Sequence, residues 1–253
     1  RKRSHRFVRG LMRSAAKLAY EQAQAAIDGT PPPAGQDPDK APPLLDAILT
    51  PLWEAFRLMG KGREQRSPLA IESDERRIRF NPEGEIVSIE RRRSLAAHQL
   101  IEEMMVQANV CAAETLEQKR TPLIYRVHDT PSMEKTQSLG EFLETLGIPW
   151  NKGEAPRTDR FNKLLAETRD TPNADIVNEV VLRTQMQAIY SPENIGHFGL
   201  NLAKYAHFTS PIRRYADLIV HRGLIATLGL GADGLSDRDI GKMKDTAEAI
   251  TFA

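Results

Sequence analysis

Apolar positions recur at helical spacing over much of the chain. Phe7, Leu11, Ala15 and Leu18 line one stripe of Ser4 to Asp28, while Arg13, Lys17, Tyr20 and Gln24 line another. That pattern predicts an amphipathic helix ended by Gly29. Gly29 to Pro43 holds six prolines in fifteen residues and reads as a loop. A second helix is expected over Leu44 to Arg66, with Thr50 as cap and Pro51 in the first turn where the helix restarts. Alternation then predicts strands at Leu69 to Ile71, Arg76 to Phe80 and Glu85 to Ile89, with Asn81-Pro82-Glu83-Gly84 as a turn. Ala97, Ile101, Met104, Ala108 and Cys111 mark a buried seam on a long helix from Ser94 to Gln118, with His98, Glu102 and Asn109 as a polar stripe opposite it.

Further along, Leu123 to His128 reads as a strand, and Ser132 to Leu146, Asp159 to Thr168 and Asp175 to Tyr190 read as helices. Gly196 to Phe208 alternates and reads as strands, Pro211 to Leu228 as a helix ended by Gly229, and Asp237 to Ala253 as a last helix. No internal repeat is visible. The expected architecture is one mixed α/β (α+β), helix-rich domain over residues 1–253.

Composition narrows the class. Of 253 residues, 40% are hydrophobic and 27% charged, enough to bury a core and too apolar for a disordered chain. No apolar run reaches the roughly 18 residues of a membrane span. A single cysteine, Cys111, excludes an internal disulfide framework and a multi-cysteine zinc site, and points to the cytoplasm. Its place on the apolar seam makes it inert. The net charge is only +1, but Arg1, Lys2, Arg3, Arg6, Arg9 and Arg13 crowd the start, and Arg91, Arg92 and Arg93 form a second run. Such runs are either solvated faces or phosphate contacts. The basic start and the helix running to the last residue suggest a fragment.

The stretch that carries chemistry is His207-Phe208-Thr209-Ser210-Pro211-Ile212-Arg213-Arg214-Tyr215-Ala216-Asp217-Leu218. Ser210 suits an N-cap and Pro211 a first helical position, so the helix is expected to begin at Pro211. Arg213 and Arg214 would then stand in the first turn, where cations are unfavourable by roughly 0.3–1 kcal/mol each. A bound anion reverses that sign, and backbone amides, two hydroxyls and a guanidinium make a plausible phosphate site. The plain alternative is a charged stripe in which Arg213 pairs with Asp217, and Asp217 with His221.

The run from His207 to Leu224 resembles the motif of the ribonuclease II / ribonuclease R (RNB) superfamily. Ala97 to Met104, Tyr125 to Pro131 and Ala188 to Leu200 agree with it in family order, as does Ser14 to Tyr20, so the resemblance covers nearly the whole chain. Tyr190 to Leu224 looks more like the bacterial ribonuclease R branch than ribonuclease II.

The resemblance implies a 3′→5′ exoribonuclease that degrades single-stranded RNA processively to 5′-monophosphate nucleotides, and monomers are the family habit. Arg213 matches the arginine at the scissile phosphate. Tyr20 matches a tyrosine near the 3′-terminal nucleotide, and Phe80 an aromatic that stacks on a base, although a plain hairpin residue is an equal reading. Glu102 and Glu103 match acids near that nucleotide, with a satisfied polar face as the bland alternative. His207, Thr209, Ser210, Arg214 and Tyr215 are assigned to the phosphate pocket. The resemblance also implies Mg2+, held by aspartates in a D-x5-D-x-D-D arrangement. Asp37 with Asp39, and Asp237 with Asp239, do not form one. The metal ligands are therefore expected upstream of this chain, as are the flanking cold-shock and S1-type domains outside it, and the fragment alone is expected to be inactive. His197 and His207 find no third metal ligand at suitable spacing. Two alternatives stay open: a catalytically inactive RNA-binding relative, and an interaction module without a nucleic-acid role.

Overall fold

The structure is a computed structural model that describes residues 2–71, 75–92 and 94–252, without the side chains of 75–77 and 89–92. It divides into two compact units. One comprises Leu11–Lys61 and Glu72–Met104; the other comprises Arg1–Gly10, Gly62–Ile71 and Met105–Ala253.

In the smaller unit, helix α1 (Tyr20–Asp28) begins where the Ala19 amide donates to Gln22 Oε1 at 2.8 Å, and ends at Gly29 in the left-handed region, φ 68°. Gln22 Nε2 donates to the Asp37 carbonyl at 3.0 Å and ties the proline-rich loop to α1. Short 3-10 and π turns at Pro42–Leu44 and Leu45–Leu49 lead into α2 (Thr50–Arg66). Strands β1 (Glu75–Phe80) and β2 (Ile86–Arg92) form an antiparallel hairpin, with the register shifting between Arg79 and Phe80. Helix α3 (Ala96–Gln118) starts beside α1, the Ala97 amide donating to Gln24 Oε1 at 3.0 Å.

The larger unit continues with β3 (Tyr125–Val127), α4 (Met133–Thr145), α5 (Thr158–Thr168), α6 (Ala174–Thr184), β4 (Ile189–Ser191), α7 (Tyr215–Leu228), α8 (Asp237–Gly241) and α9 (Met243–Phe252). Strands β3 and β4 pair antiparallel, which sets Arg126 opposite Tyr190. Three hydrophobic clusters fill this unit. Leu116, Val127, Ala206, Val220 and Leu224 join α3, β3 and α7; Leu139, Leu143, Phe161 and Val181 join α4, α5 and α6; Ile124, Ile219 and Met243 form the third. Among the described residues no helix is long and apolar enough to cross a membrane.

Several expectations change. The helix proposed for Ser4 to Asp28 forms only from Tyr20. Before it, Lys2 bonds Glu114 and Cys111, His5 bonds Thr115, Phe7 packs edge-on to Phe208 and Arg9 pairs with Asp233. Those partners hold the chain out of a helix, and Leu11 and Met12 are fully exposed, so the apolar stripe gains no burial. The seam on α3 holds at Ala97 and Cys111, which are buried, and differs between them. Ile101 is exposed, whereas Leu100, Val106, Ala112 and Leu116 are buried. Asn109 is 1% exposed rather than part of an outer polar stripe.

Leu69 to Ile71 and Gly196 to Phe208 are not regular strands. The Leu69 amide donates to the Gly199 carbonyl and the Ala70 amide to Asn162 Oδ1, both at 2.8 Å, without a ladder among the described residues, and positive φ at Gly196 (79°) and Asn201 (49°) breaks the second run into bridges at His197. The helix expected to reach Tyr190 stops at Thr184, which frees Ile189–Ser191 to pair with β3. Within the basic runs, Arg1 and Arg93 lie outside the described residues, as do the side chains of Arg91 and Arg92.

Candidate nucleic-acid site before helix α7

Helix α7 starts at Tyr215, not at Pro211. Pro211 to Arg213 form a turn instead, in which the Arg213 and Arg214 amides donate to the Ser210 carbonyl at 3.2 and 3.1 Å. Both arginines therefore precede the helix, and Arg214 stands at its N-cap with extended backbone. Asp217 explains the shift. Fully buried, it accepts from the Ser210 amide at 2.6 Å, and takes Arg214 Nε and Nη2 at 2.8 and 2.9 Å. A carboxylate in the first turn that collects a backbone amide and a forked guanidinium is a strong local anchor. The ion pair is thus Arg214 with Asp217, not Arg213 with Asp217. His221 donates to the Phe208 carbonyl at 2.9 Å and stacks on the Phe208 ring at 4.3 Å, rather than meeting Asp217.

The preceding loop is held from α3. Asn109 Oδ1 accepts the Phe208 and Thr209 amides at 2.9 and 3.2 Å, and its Nδ2 donates to the Tyr205 hydroxyl at 3.0 Å. With the loop fixed at both ends, Arg213 projects outward. Its guanidinium meets the Ser210 hydroxyl only at 3.5 Å, and among the described residues no carboxylate is within ion-pair distance of it. The Thr209 hydroxyl is buried without a hydrogen-bond partner. Tyr215, the first residue of α7, is exposed.

His207 lies behind this loop, with Nδ1 sharing a 2.8 Å hydrogen bond with the Tyr190 hydroxyl. Burial pushes its pKa down to about 4; Arg214 pushes the same way, Asp217 opposes it, and Arg126 and Arg213 add to the depression. Burial raises the Tyr190 phenol, and the same three arginines partly offset that. The segment therefore joins a neutral histidine, a protonated tyrosine, cations and a hydroxyl lacking a partner, an arrangement suited to an anion.

The remaining sequence-derived site residues lie in the smaller unit. Tyr20 stacks on His98, with ring centroids 4.0 Å apart. Phe80 is exposed near the end of the hairpin, Glu102 is exposed on α3, and Glu103 is buried. Sequence reasoning missed Arg126, Tyr190 and the inward face of Asn109, and gave Asp217 the wrong arginine. The first two stood in quoted motif blocks, but their meeting across β3 and β4 depends on register.

The fold also gathers His5, Cys111 and Glu114, whose ligand atoms lie within 4.8 Å of one another, although the Lys2 ammonium already bonds Cys111 and Glu114. This is the one such group among the described residues. One imidazole, one thiol and one carboxylate do not fit Mg2+, which takes oxygen ligands in octahedral geometry.

Comparison with known proteins agrees with the motif. Ribonuclease R of Escherichia coli is 39% identical over 220 residues, 87% of this chain and 26% of that protein. Ribonuclease R of Aquifex aeolicus is 36% identical over 84% of this chain. The chain thus spans about a quarter of the length of the Escherichia coli relative. Mycoplasma genitalium RNase R in complex with ribose-methylated single-stranded RNA superposes with TM-score 0.78 at 27% identity, covering 92% of this chain and 36% of that one. Its complex with double-stranded RNA gives 0.79, with 41% of that chain covered. Yeast Ssd1, a pseudonuclease, shares the fold at TM-score 0.61 and 23% identity, over 93% of this chain and 28% of its own. A model of the RNB domain matches residues 1–229, and on that match, with the motif and the geometry around Arg213, the chain belongs to the RNB domain family.

Proposed function

We propose that the chain is the C-terminal part of the catalytic domain of a 3′→5′ exoribonuclease, working on single-stranded RNA in the cytoplasm as a monomer. Hydrolysis places a water oxygen on phosphorus and breaks the bond to the O3′ of the preceding nucleotide. A nucleoside 5′-monophosphate leaves, and a new 3′ hydroxyl remains. The observation that carries this reading is Arg213, an exposed guanidinium without a carboxylate partner among the described residues, on a turn clamped by Asn109 and Asp217. A planar fork of N–H donors stabilises charge gathering on the phosphoryl oxygens. Arg214 is committed to Asp217 and acts by holding the turn. Thr209, Ser210 and Tyr215 border the same phosphate. Tyr20, Phe80, Glu102 and Glu103 are assigned to the 3′-terminal nucleotides by family resemblance, and the exposed Phe80 ring suits base stacking. Magnesium is assigned to carboxylates outside this chain.

A second reading is a family member that binds RNA without cutting it. The pseudonuclease neighbour favours keeping it open, because the fold alone does not fix the chemistry. The deciding experiment mixes the full-length protein with 5′-labelled single-stranded RNA and magnesium, beside an Arg213→Ala variant. A ladder shortening from the 3′ end, lost with chelator and slowed at least 100-fold in the variant by analogy with removing one oxyanion donor, is the expected outcome. Tight binding with no shortening moves the assignment to the second reading.

A further inference from the structure

Strand β3 presents Arg126 to Tyr190 of β4, and the guanidinium carbon lies 4.6 Å from the centre of the tyrosine ring. Stacking of this kind holds the planar fork in one orientation while leaving its N–H edges free to bond elsewhere. The Arg126 amide donates to the Tyr205 carbonyl at 2.9 Å, two residues before His207. The Tyr190 hydroxyl reaches His207 at 2.8 Å, and the Tyr205 ring lies 5.6 Å from the His207 ring. Arg126 is therefore mounted on the segment that leads through Thr209 and Ser210 to Arg213.

Charge does not balance there. Asp217 is fully engaged by Arg214 and the Ser210 amide, and among the described residues no carboxylate is within ion-pair distance of Arg126 or Arg213. Arg126 stacks on Tyr190, Tyr190 bonds His207, and the chain runs from His207 through Ser210, which Arg213 meets, so the two cations border one segment. Two preorganised cations without acidic partners suit two successive phosphates of one strand better than a single anion.

We propose that Arg126 is a second phosphate-binding residue, gripping the RNA phosphate adjacent to the one at Arg213, with Tyr190 and His207 as its positioning residues. The inference rests on the exoribonuclease reading above and adds a subsite to it. Because the contact is away from the bond that breaks, it contributes to binding in the ground state and the transition state alike.

The test uses the full-length protein and 5′-labelled single-stranded RNA. Arg126→Gln is expected to weaken binding about tenfold, the loss of one charge-assisted contact. It is expected to take about 0.7 off the slope of log Kobs against log salt concentration. KM should rise with kcat nearly unchanged, and Arg126→Lys should restore the salt slope. An unchanged slope and KM in Arg126→Gln, while wild type still shortens RNA, overturns the subsite and leaves the exoribonuclease reading intact. Wild type that neither binds nor shortens RNA removes that reading and the subsite with it. If Arg126→Gln does not fold, wild type answers the question through an arginine-selective dicarbonyl read by mass spectrometry. RNA should protect Arg126, with Arg183, paired to Glu179 on α6, as the unprotected reference. Equal labelling with and without RNA overturns the proposal.

Discussion

A histidine enclosed by protein and faced by arginines stays neutral at pH values where an exposed one is charged. His207 titrates at about 4 in the fold, against 6.5 for the ordinary side chain. The sign follows directly: between those values the unfolded chain binds a proton that the folded chain refuses. The stability supplied by neutral His207 is therefore complete above about pH 6.5 and is lost as the pH falls toward about 4. One such group contributes a slope of up to about 1.4 kcal/mol per pH unit inside that window. His197, held at about 3 chiefly by burial and next by the neighbouring His128, adds a second contribution of the same sign. Denaturant unfolding at a series of pH values should show stability falling on the acid side, with a shallower fall in His207→Gln. Parallel curves for wild type and variant would remove His207 from the acid sensitivity. The residue was legible in the sequence as a motif member, but its neutrality was not. That property comes first from burial, which depends on the fold, then from Arg214 close by in the motif, with a smaller push from Arg126, which lies far away along the chain.

Elements differ in how far their sequence determines them. Helix α4 was readable because it carries a local signal, the Ser132 side chain accepting from the Lys135 amide at 3.2 Å, whereas the single helix expected from Asp237 onward breaks at Lys242 into α8 and α9. The hairpin was readable from alternation and from Gly84 at φ 84°. The segment before Tyr20 and the start of α7 were misread for one reason: long-range partners overrode a local pattern. At α7 the partner is Asp217, which draws back the Ser210 amide and Arg214 and so delays the first helical turn to Tyr215. The loop ahead of it is set by an element about 100 residues earlier, through Asn109. Asn109→Leu keeps the branched outline of the side chain but strands the Phe208 and Thr209 amides. Each unsatisfied buried group costs about 1–3 kcal/mol, so a total loss of roughly 3 kcal/mol is expected after partial relaxation. RNA cleavage should fall more than the lost stability explains, because Arg213 loses its fixed turn. Circular dichroism with denaturant gives the first quantity, and single-turnover cleavage of folded protein gives the second. A variant as stable and as fast as wild type would show that the loop keeps its shape without Asn109.

The chain carries almost no net charge, +1 over 253 residues, so RNA recognition depends on where its cations are left without partners rather than on a basic surface. Unevenness also governs stability. All three hydrophobic clusters lie in the unit containing residues 105–252, where Leu116, Ile124, Leu143, Phe161 and Val220 are fully buried. Among the described residues of the smaller unit, buried apolar side chains are few and mostly small: Ala25, Ala41, Ala97 and Leu100. That unit also contains an apolar cavity of about 190 Å³ lined by Leu18, Tyr20, Ile27, Leu49, Trp53 and Leu100. Loose packing of this kind forfeits dispersion contacts and lowers the free energy of local opening. Amide hydrogen exchange in the full-length protein is therefore expected to be faster in α1 and the β1–β2 hairpin than in β3, α7 and the C-terminal half of α3. RNA should slow exchange in the smaller unit most, since Tyr20 and Phe80 lie on its least stable elements and a ligand stabilises whatever must be ordered to bind it. Equal protection of the two units without RNA would mean that the smaller one draws its stability from contacts other than its own core, and the predicted effect of RNA would then vanish with it.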